Sequence, residues 1–304
     1  MGHSHGHNHD HGHSHGANKK ALLISFVLIG TFMVVEVIGG IITNSLALIS
    51  DAGHMLSDAA ALGLSLLAFK MGEKAANASK TYGYKRFEIL AAFINGITLL
   101  AISIYIFWEA YHRFLEPPQV GSGMMIVATI GLIVNLVVAW ILMKGDTSGN
   151  INMRSAFLHV MGDLLGSIGA IVAGLLILIF DWNIADPIAS VLVSFLILVS
   201  GWRVTKDSVH VLMEGKPSHI DLKQVETKLK SLPGVIGVHD LHVWTITSDF
   251  PTLTCHVIVE QQSDRDDLLQ TASKLMHEEF ELKHTTIQIE GEGSKFHETE
   301  ENCN

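Results

Sequence analysis

The sequence predicts an α-helical membrane protein with six transmembrane helices, followed by a cytoplasmic α+β domain whose elements run αββαβ. Three observations carry this. Six apolar segments each reach the roughly 20 residues that a helix needs to cross the hydrocarbon core of a bilayer. The chain is 48% hydrophobic and only 16% charged, and its charges cluster between and after those segments. Beyond Lys206, about a hundred residues follow with soluble patterning and no spanning segment.

The spans are expected near 21–42, 46–69, 88–110, 123–143, 155–180 and 186–205. Lys19 and Lys20 precede the first span, and Lys70, Lys74, Lys80, Lys85 and Arg86 lie between the second and third. Lys144 and Arg154 flank the next connection on that side, and Arg203 and Lys206 close the sixth span, whereas Arg113 alone marks the opposite side. The positive-inside rule then puts both termini in the cytoplasm. The expected organisation is a His-rich tail over 1–20, a membrane domain over 21–206 and a cytoplasmic domain over 207–304. No Lys/Arg-led leader with a small-residue cleavage site opens the chain, so secretion is not expected.

In the C-terminal part, SHIDLKQVETKLKSL has the pattern of an amphipathic helix with Ser218 as its N-cap. VIGVHDLHVWTIT and TLTCHVIVE alternate like strands around a turn at 248–251. DRDDLLQTASKLMHEEFELKH gives a second helix and TTIQIE a last strand, the helices lying on one side of a small sheet. HEEFE resembles a zinc-protease HExxH only superficially, because Glu281 stands where the second His is needed.

Two His-x-x-x-Asp pairs sit inside spans: His54 with Asp58, and His159 with Asp163. Four-residue spacing puts both side chains of a pair on one helix face, one turn apart. Facing each other, the pairs offer two imidazoles and two carboxylates, a four-coordinate set for a borderline metal such as zinc. A lone polar residue in a membrane helix commonly just hydrogen-bonds a neighbour, but two spaced pairs at bilayer depth point to an ion path. Asp51 lies one turn along the same face, as a proton relay or a structural hydrogen-bonding group. Glu36 and Asn135 are candidates for supporting the site. Asp186, before Pro187, is expected to cap the start of its own span.

Histidine alternates through the opening segment at His3, His5, His7, His9, His11, His13 and His15, among Gly, Ser, Asn and Asp. Such a tract cannot build a core; it binds zinc, nickel or copper loosely, and its interleaved residues are unlike a purification tag. Its expected role is metal collection, dispensable for transport. Cys255 and Cys303 form no CxxC clip and are too few for a disulfide framework. A net charge of −10 with no basic stripe argues against nucleic acid.

EVIGGIITNSLALISDAGHMLSDAAALG, TYGYKRFEILAAFING and the HVMGD motif together resemble the cation diffusion facilitator family, in its bacterial zinc/cadmium/cobalt-resistance (CzcD-like) exporter branch. The resemblance covers nearly the whole chain, down to a metallochaperone-like αββαβ tail. It implies a homodimer in the bacterial inner membrane, surrounded by lipid, that exports a divalent cation by proton antiport through His54, Asp58, His159 and Asp163. His54, rather than Asp at that position, favours zinc, with cobalt and cadmium as further cargo.

The resemblance also implies regulatory Zn2+ in the tail domain, with His239, His256 and Glu290 as ligands and Gln288 where some relatives have His. His242 lies an odd number of residues from His239 and is expected on the opposite face of the strand. Surface histidines on a solvated sheet are the plain alternative for this group. Some relatives carry a zinc site between the second and third spans; residues 71–85 contain no His, so it is not expected here. Arg86 and Glu214 match an interlocking charge pair at the dimer hinge, of little energetic weight if exposed. No enzyme is expected, because no general base stands beside an open metal position. A non-transporting membrane zinc sensor or partner subunit is the alternative reading.

Overall fold

The structure, a computed structural model, describes residues 12–72, 76–143, 151–247 and 250–293. His3, His5, His7, His9, His11 and Cys303 lie outside the described residues, as do the side chains of His13, His15, Asp58, His159 and Asp163 and, among the orienting charges, those of Lys19, Lys20, Lys70, Lys74, Lys144 and Arg154. The chain divides into two units, Met1–Ala75 with Ala91–Thr205, and Ala76–Leu90 with Lys206–Asn304.

Among the described residues the first part of the chain forms long helices: α1 (Gly12–Thr43), α2 (Leu46–Gly72), α3 (Phe87–Leu115), α4 (Gly123–Met143), α5 (Ile151–Phe180) and α6 (Ala185–Leu212). Three contain stretches long and apolar enough to cross a bilayer, Phe26–Thr43, Phe87–Leu115 and Ala185–Leu212, and shorter apolar stretches occupy Gly123–Val138 and Gly166–Phe180. Ile94, Ile97, Ile104 and Trp108 on α3, and Leu192, Phe195 and Trp202 on α6, are exposed. So much outward apolar surface is a liability in water and the expected exterior in lipid.

Small residues let these helices approach closely. A Cβ built on Gly131 of α4 would lie 2.9 Å from Glu36 Oε1 of α1, while Val127 meets Gly39 and Thr43 meets Gly123. Rising numbers on α1 thus meet falling numbers on α4, so the two run antiparallel. Phe26 against Gly63 and Gly40 against Ile49 make α1 and α2 antiparallel as well. Met125 against Gly174, with Asn135 against Ser167, does the same for α4 and α5. It follows that α2 and α5, which pack together, run in opposite directions.

Asp186 does not cap its own helix. It lies within α6, fully buried, and its carboxylate accepts from Ser45 Oγ (2.6 Å), Leu46 N (2.8 Å) and Ala47 N (3.2 Å). It therefore caps α2, whose first N–H groups have no partner within the helix and favour an anion. Arg113 Nη1 lies 3.9 Å from the same carboxylate and donates to Asn44 O at 2.7 Å. Pro187 follows in the first turn of α6, where a missing N–H costs nothing.

The second unit orders α7 (Leu222–Lys230), β1 (Val235–Thr245), β2 (Pro251–Val259), α8 (Arg265–Phe280) and β3 (His284–Gly291). The sheet order is β1-β2-β3, antiparallel between the first two and parallel between the last two. A parallel neighbour needs a crossover, which α8 supplies. Leu253, Cys255, Val257 and Val259 point from β2 into a core closed by Val225 and Leu229 of α7 and by Leu268, Ala272 and Met276 of α8. Both helices thus cover one face, leaving His256 and its neighbours on the other. Asp221, not Ser218, caps α7, accepting from Lys223 N at 3.0 Å. Ser218 stands too far upstream of Leu222 to reach the first-turn donors that a cap must satisfy.

The segment 76–90 groups with this unit, and its side chains explain why. Tyr82 packs edge-on to Phe250 and His284, and Lys85 Nζ lies 3.5 Å above the Phe250 ring. Thr247 Oγ1 donates to Glu88 Oε2 at 2.9 Å. Arg86 Nη2 meets Glu214 Oε1 at 3.0 Å, with the two side chains 42% and 63% exposed.

Candidate metal centres

In the membrane unit, His54 and Asp58 belong to α2, and His159 and Asp163 to α5. The described contact between these helices is a hydrogen bond from Ser167 Oγ to Asp51 Oδ2 at 3.3 Å, with Asn135 Nδ2 of α4 donating to Ser167 Oγ at 3.2 Å. Asp51 is buried, and a Cβ on Gly166 would lie only 2.5 Å from its Oδ1. Gly166 is thus what lets α5 approach this carboxylate.

That contact fixes the relative height of the two helices. Asp51 precedes His54 by three residues, and Ser167 follows Asp163 by four. Because the helices are antiparallel, residue 163 falls level with His54, and residue 159 with residue 58, each to within about one residue's rise of 1.5 Å. The backbone brings both pairs to one depth. Asn135, singled out from the sequence, joins this network; Ser167 was missed, since a hydroxyl in a membrane helix most often bonds its own backbone. Glu36 is buried on α1 beside Gly131.

In the second unit, ligand atoms of His239, His256 and Glu290 all lie within 4.8 Å of one another. Glu290 is almost wholly buried, its Oε2 3.3 Å from His239 Nε2 and its Oε1 3.0 Å from His256 Nδ1. The register explains the grouping: His239 pairs with His256 across β1 and β2, and β3 brings Gln288 opposite His256. Gln288 Nε2 donates to Glu290 Oε1 at 2.9 Å and so orients the carboxylate, in place of offering a ligand nitrogen. Two imidazoles and a carboxylate suit zinc, and three donors leave a fourth position open.

His242 is not on the opposite face. The β1 register shifts between His239 and His242, so that His242 pairs with Thr254 while His239 pairs with His256. Thr254 and His256 share a face of β2. The extra residue sits in a bulge that includes Asp240, at φ 50°, in the left-handed region that Asp tolerates better than most side chains. Counting by twos fails across a bulge, and His242 returns to the ligand side. There its Nε2 lies 2.7 Å from Asp240 Oδ1, while Asp240 Oδ2 lies 3.8 Å from His256 Nε2. The sequence reading did not include Asp240.

Comparison with known proteins follows this division. The family description "Cation efflux transmembrane domain" matches residues 22–213, and "Cation efflux protein, cytoplasmic domain" matches residues 217–292. The chain is 52% identical over 296 residues to a protein of Bacillus subtilis (strain 168) named "Cadmium, cobalt and zinc/H(+)-K(+) antiporter", covering 96% of this chain and 93% of that one. It is 44% identical over 292 residues to "Zinc transporter ZitB" of Escherichia coli (strain K12), covering 95% and 93%. To "Metal cation efflux system protein CzcD" of Cupriavidus metallidurans it is 42% identical over 291 residues, covering 95% and 90%. A solved structure titled "Metal-bound C-terminal domain of the CzcD transporter" is 33% identical, covering 23% of this chain and 99% of that one, with a TM-score of 0.22.

Proposed function

The chain belongs to the cation efflux family of integral membrane transporters, and we propose that it exports zinc from the cytoplasm in exchange for protons. The cargo is held by His54, Asp58, His159 and Asp163 as a tetrahedral His2Asp2 set. Cobalt and cadmium, which the Bacillus relative's name includes, are further cargo for the same nitrogen and oxygen donors. Six helices span the inner membrane with both termini cytoplasmic, and two copies of the chain form the working unit; the matched cytoplasmic dimer domain supports the pairing.

The observation that carries this reading is the antiparallel pairing of α2 and α5 through Asp51 and Ser167, at a height that levels the two His-x-x-x-Asp motifs. Exchange follows from ligand chemistry. A ligating His must be neutral and its carboxylate partners ionised, so metal and protons compete for the same atoms. Imidazole, with an ordinary pKa of about 6.5, changes charge near physiological pH. Zinc loads from the cytoplasmic side, protons displace it on the far side, and the protonated site returns by alternating access. His239, His256 and Glu290 bind a regulatory zinc in the tail domain, and His3 through His15 collect metal near the cytoplasmic mouth.

Proton exchange is tested in proteoliposomes loaded with a pH-sensitive dye and given a zinc gradient. Proton movement opposite to zinc is expected; zinc entry that leaves the internal pH unchanged, with the proton leak controlled, would remove the antiport step.

A further inference from the structure

We propose that Glu36 of α1 carries a proton in the exchange, holding it while the transport site is empty and giving it up when zinc binds. This inference rests on the reading of His54, Asp58, His159 and Asp163 as that site.

Glu36 stands at the depth of the site. Phe26 with Gly63 and Gly40 with Ile49 give a single antiparallel register between α1 and α2, in which residue 36 falls opposite residue 53. Its backbone is therefore within about one helical turn, 5.4 Å along the axis, of both Asp51 and His54. The side chain is fully buried, and its helix segment, Phe26–Thr43, is long and apolar enough to cross a bilayer. An ionisable group so placed is costly and by default marks an ion or proton path.

The packing around Glu36 makes room for its carboxylate among apolar groups. A Cβ on Gly131 of α4 would lie 2.9 Å from Glu36 Oε1, and Phe32, one turn before Glu36, packs on the same glycine. Ile29, Phe32, Met55, Ala59 and Val138 close an apolar cluster toward the start of α1. Asn135 lies one turn along α4 from Gly131 and continues the polar contacts through Ser167 to Asp51. The helices packed against α1 are α2 and α4. From α2, Asp51, His54 and Asp58 are the titratable groups near this depth, with Lys70 near the other end; α4 carries none. The remaining titratable residues of α1 lie at its opposite end.

Charge supplies the coupling. Zinc with Asp58 and Asp163 makes a neutral group. When the ion leaves, those two carboxylates and Glu36 remain at one depth, where like charges repel strongly because little solvent screens them. Protons entering from the far side relieve that repulsion, one of them on Glu36. On loading, the dication attracts the ionised form of Glu36, and its proton leaves to the cytoplasm. Glu36 changes only between carboxyl and carboxylate, so each zinc is exchanged for one proton more than its four ligands alone would take.

Counting the protons released on zinc binding tests this, with a pH indicator and the full-length chain in weakly buffered detergent. Each chain is compared with its own Asp163→Ala form, so that release from the histidine tract and the tail domain cancels. Glu36→Gln should release about one proton fewer per zinc than the parent, and Glu36→Asp should keep the parent count. Equal counts in Glu36→Gln and the parent would make Glu36 a structural hydrogen-bonding group and overturn the proposal. Loss of the Asp163-dependent zinc from a folded Glu36→Gln would make it a ligand and overturn the carrier role as well. Where Glu36→Gln does not fold, infrared difference spectra decide: zinc should remove a protonated-carboxyl band from the parent that Glu36→Asp shifts, and an unshifted band overturns the proposal. A parent that releases no more protons than its own Asp163→Ala form would defeat the transport site itself.

Discussion

Ser167 donates its hydroxyl to the Asp51 carboxylate across 3.3 Å, tying α5 to α2 one turn from each His-x-x-x-Asp pair. A 1 Å displacement at a reacting centre can lower turnover by about a hundredfold, so a tie at this point would set how well the four proposed ligands meet. Ser167→Ala should keep the protein folded and lower the maximal zinc flux about tenfold. Gly166→Ala should do at least as much damage, because the added Cβ would lie 2.5 Å from Asp51 Oδ1 and push that carboxylate away from Ser167. Transport assays on both variants at matched expression check this; wild-type flux in Gly166→Ala would remove the tie from the account.

Asp186 satisfies the N-terminal N–H groups of α2 from another helix. Asp186→Ala leaves Ser45, Leu46 and Ala47 without their buried acceptor, at a cost of about 2 kcal/mol or more. The purified variant should show a lower thermal transition than the parent. Asp186→Asn, which keeps one carbonyl acceptor, should fall between them.

Asp186 and His242 mark the limits of what the sequence showed. Element order was legible throughout: apolar length separated the helices of the first part, and alternating patterns separated the strands of the second. Asp186 was legible as a helix-start residue but not as the cap of α2, because its partners lie far away in the chain and only the packing of α6 against α2 joins them. His242 was misplaced for a different reason. Period-two counting assumes an unbroken ladder, and the bulge at Asp240 depends on a backbone conformation that composition alone does not reveal. Segment 76–90 looked like a connection between spans, yet Tyr82, Lys85 and Glu88 bind it to the sheet unit.

Burial, with the charge of Asp240 adding to it, pushes the Cys255 thiol up to about 12 from an ordinary value near 9. The folded thiol therefore stays protonated where the unfolded one ionises. At pH values between these two, the unfolded state binds fewer protons, so stability falls as pH rises through that window. Denaturation of the cytoplasmic domain should become progressively easier above about pH 9, and Cys255→Ala should flatten that dependence. At pH 8 Cys255 should resist alkylation until the protein is unfolded, as mass spectrometry of the modified chain would report.

Arg86 and Glu214 form an ion pair that is largely exposed. Solvent screening leaves such a pair within about 1 kcal/mol of neutral. Glu214→Gln should shift the thermal transition by no more than a degree or two, and a larger fall would assign the pair a buried role in the assembled dimer.

His54, Asp58, His159 and Asp163 are the proposed transport site. The most direct measurement is zinc flux into proteoliposomes under an imposed pH gradient, comparing the parent chain with Asp163→Ala at equal reconstitution. Gradient-driven flux in the parent that disappears in the variant is the predicted result. Undiminished flux in Asp163→Ala would place the transport site elsewhere, and zinc binding without flux in the parent would make the protein a sensor instead of an exporter.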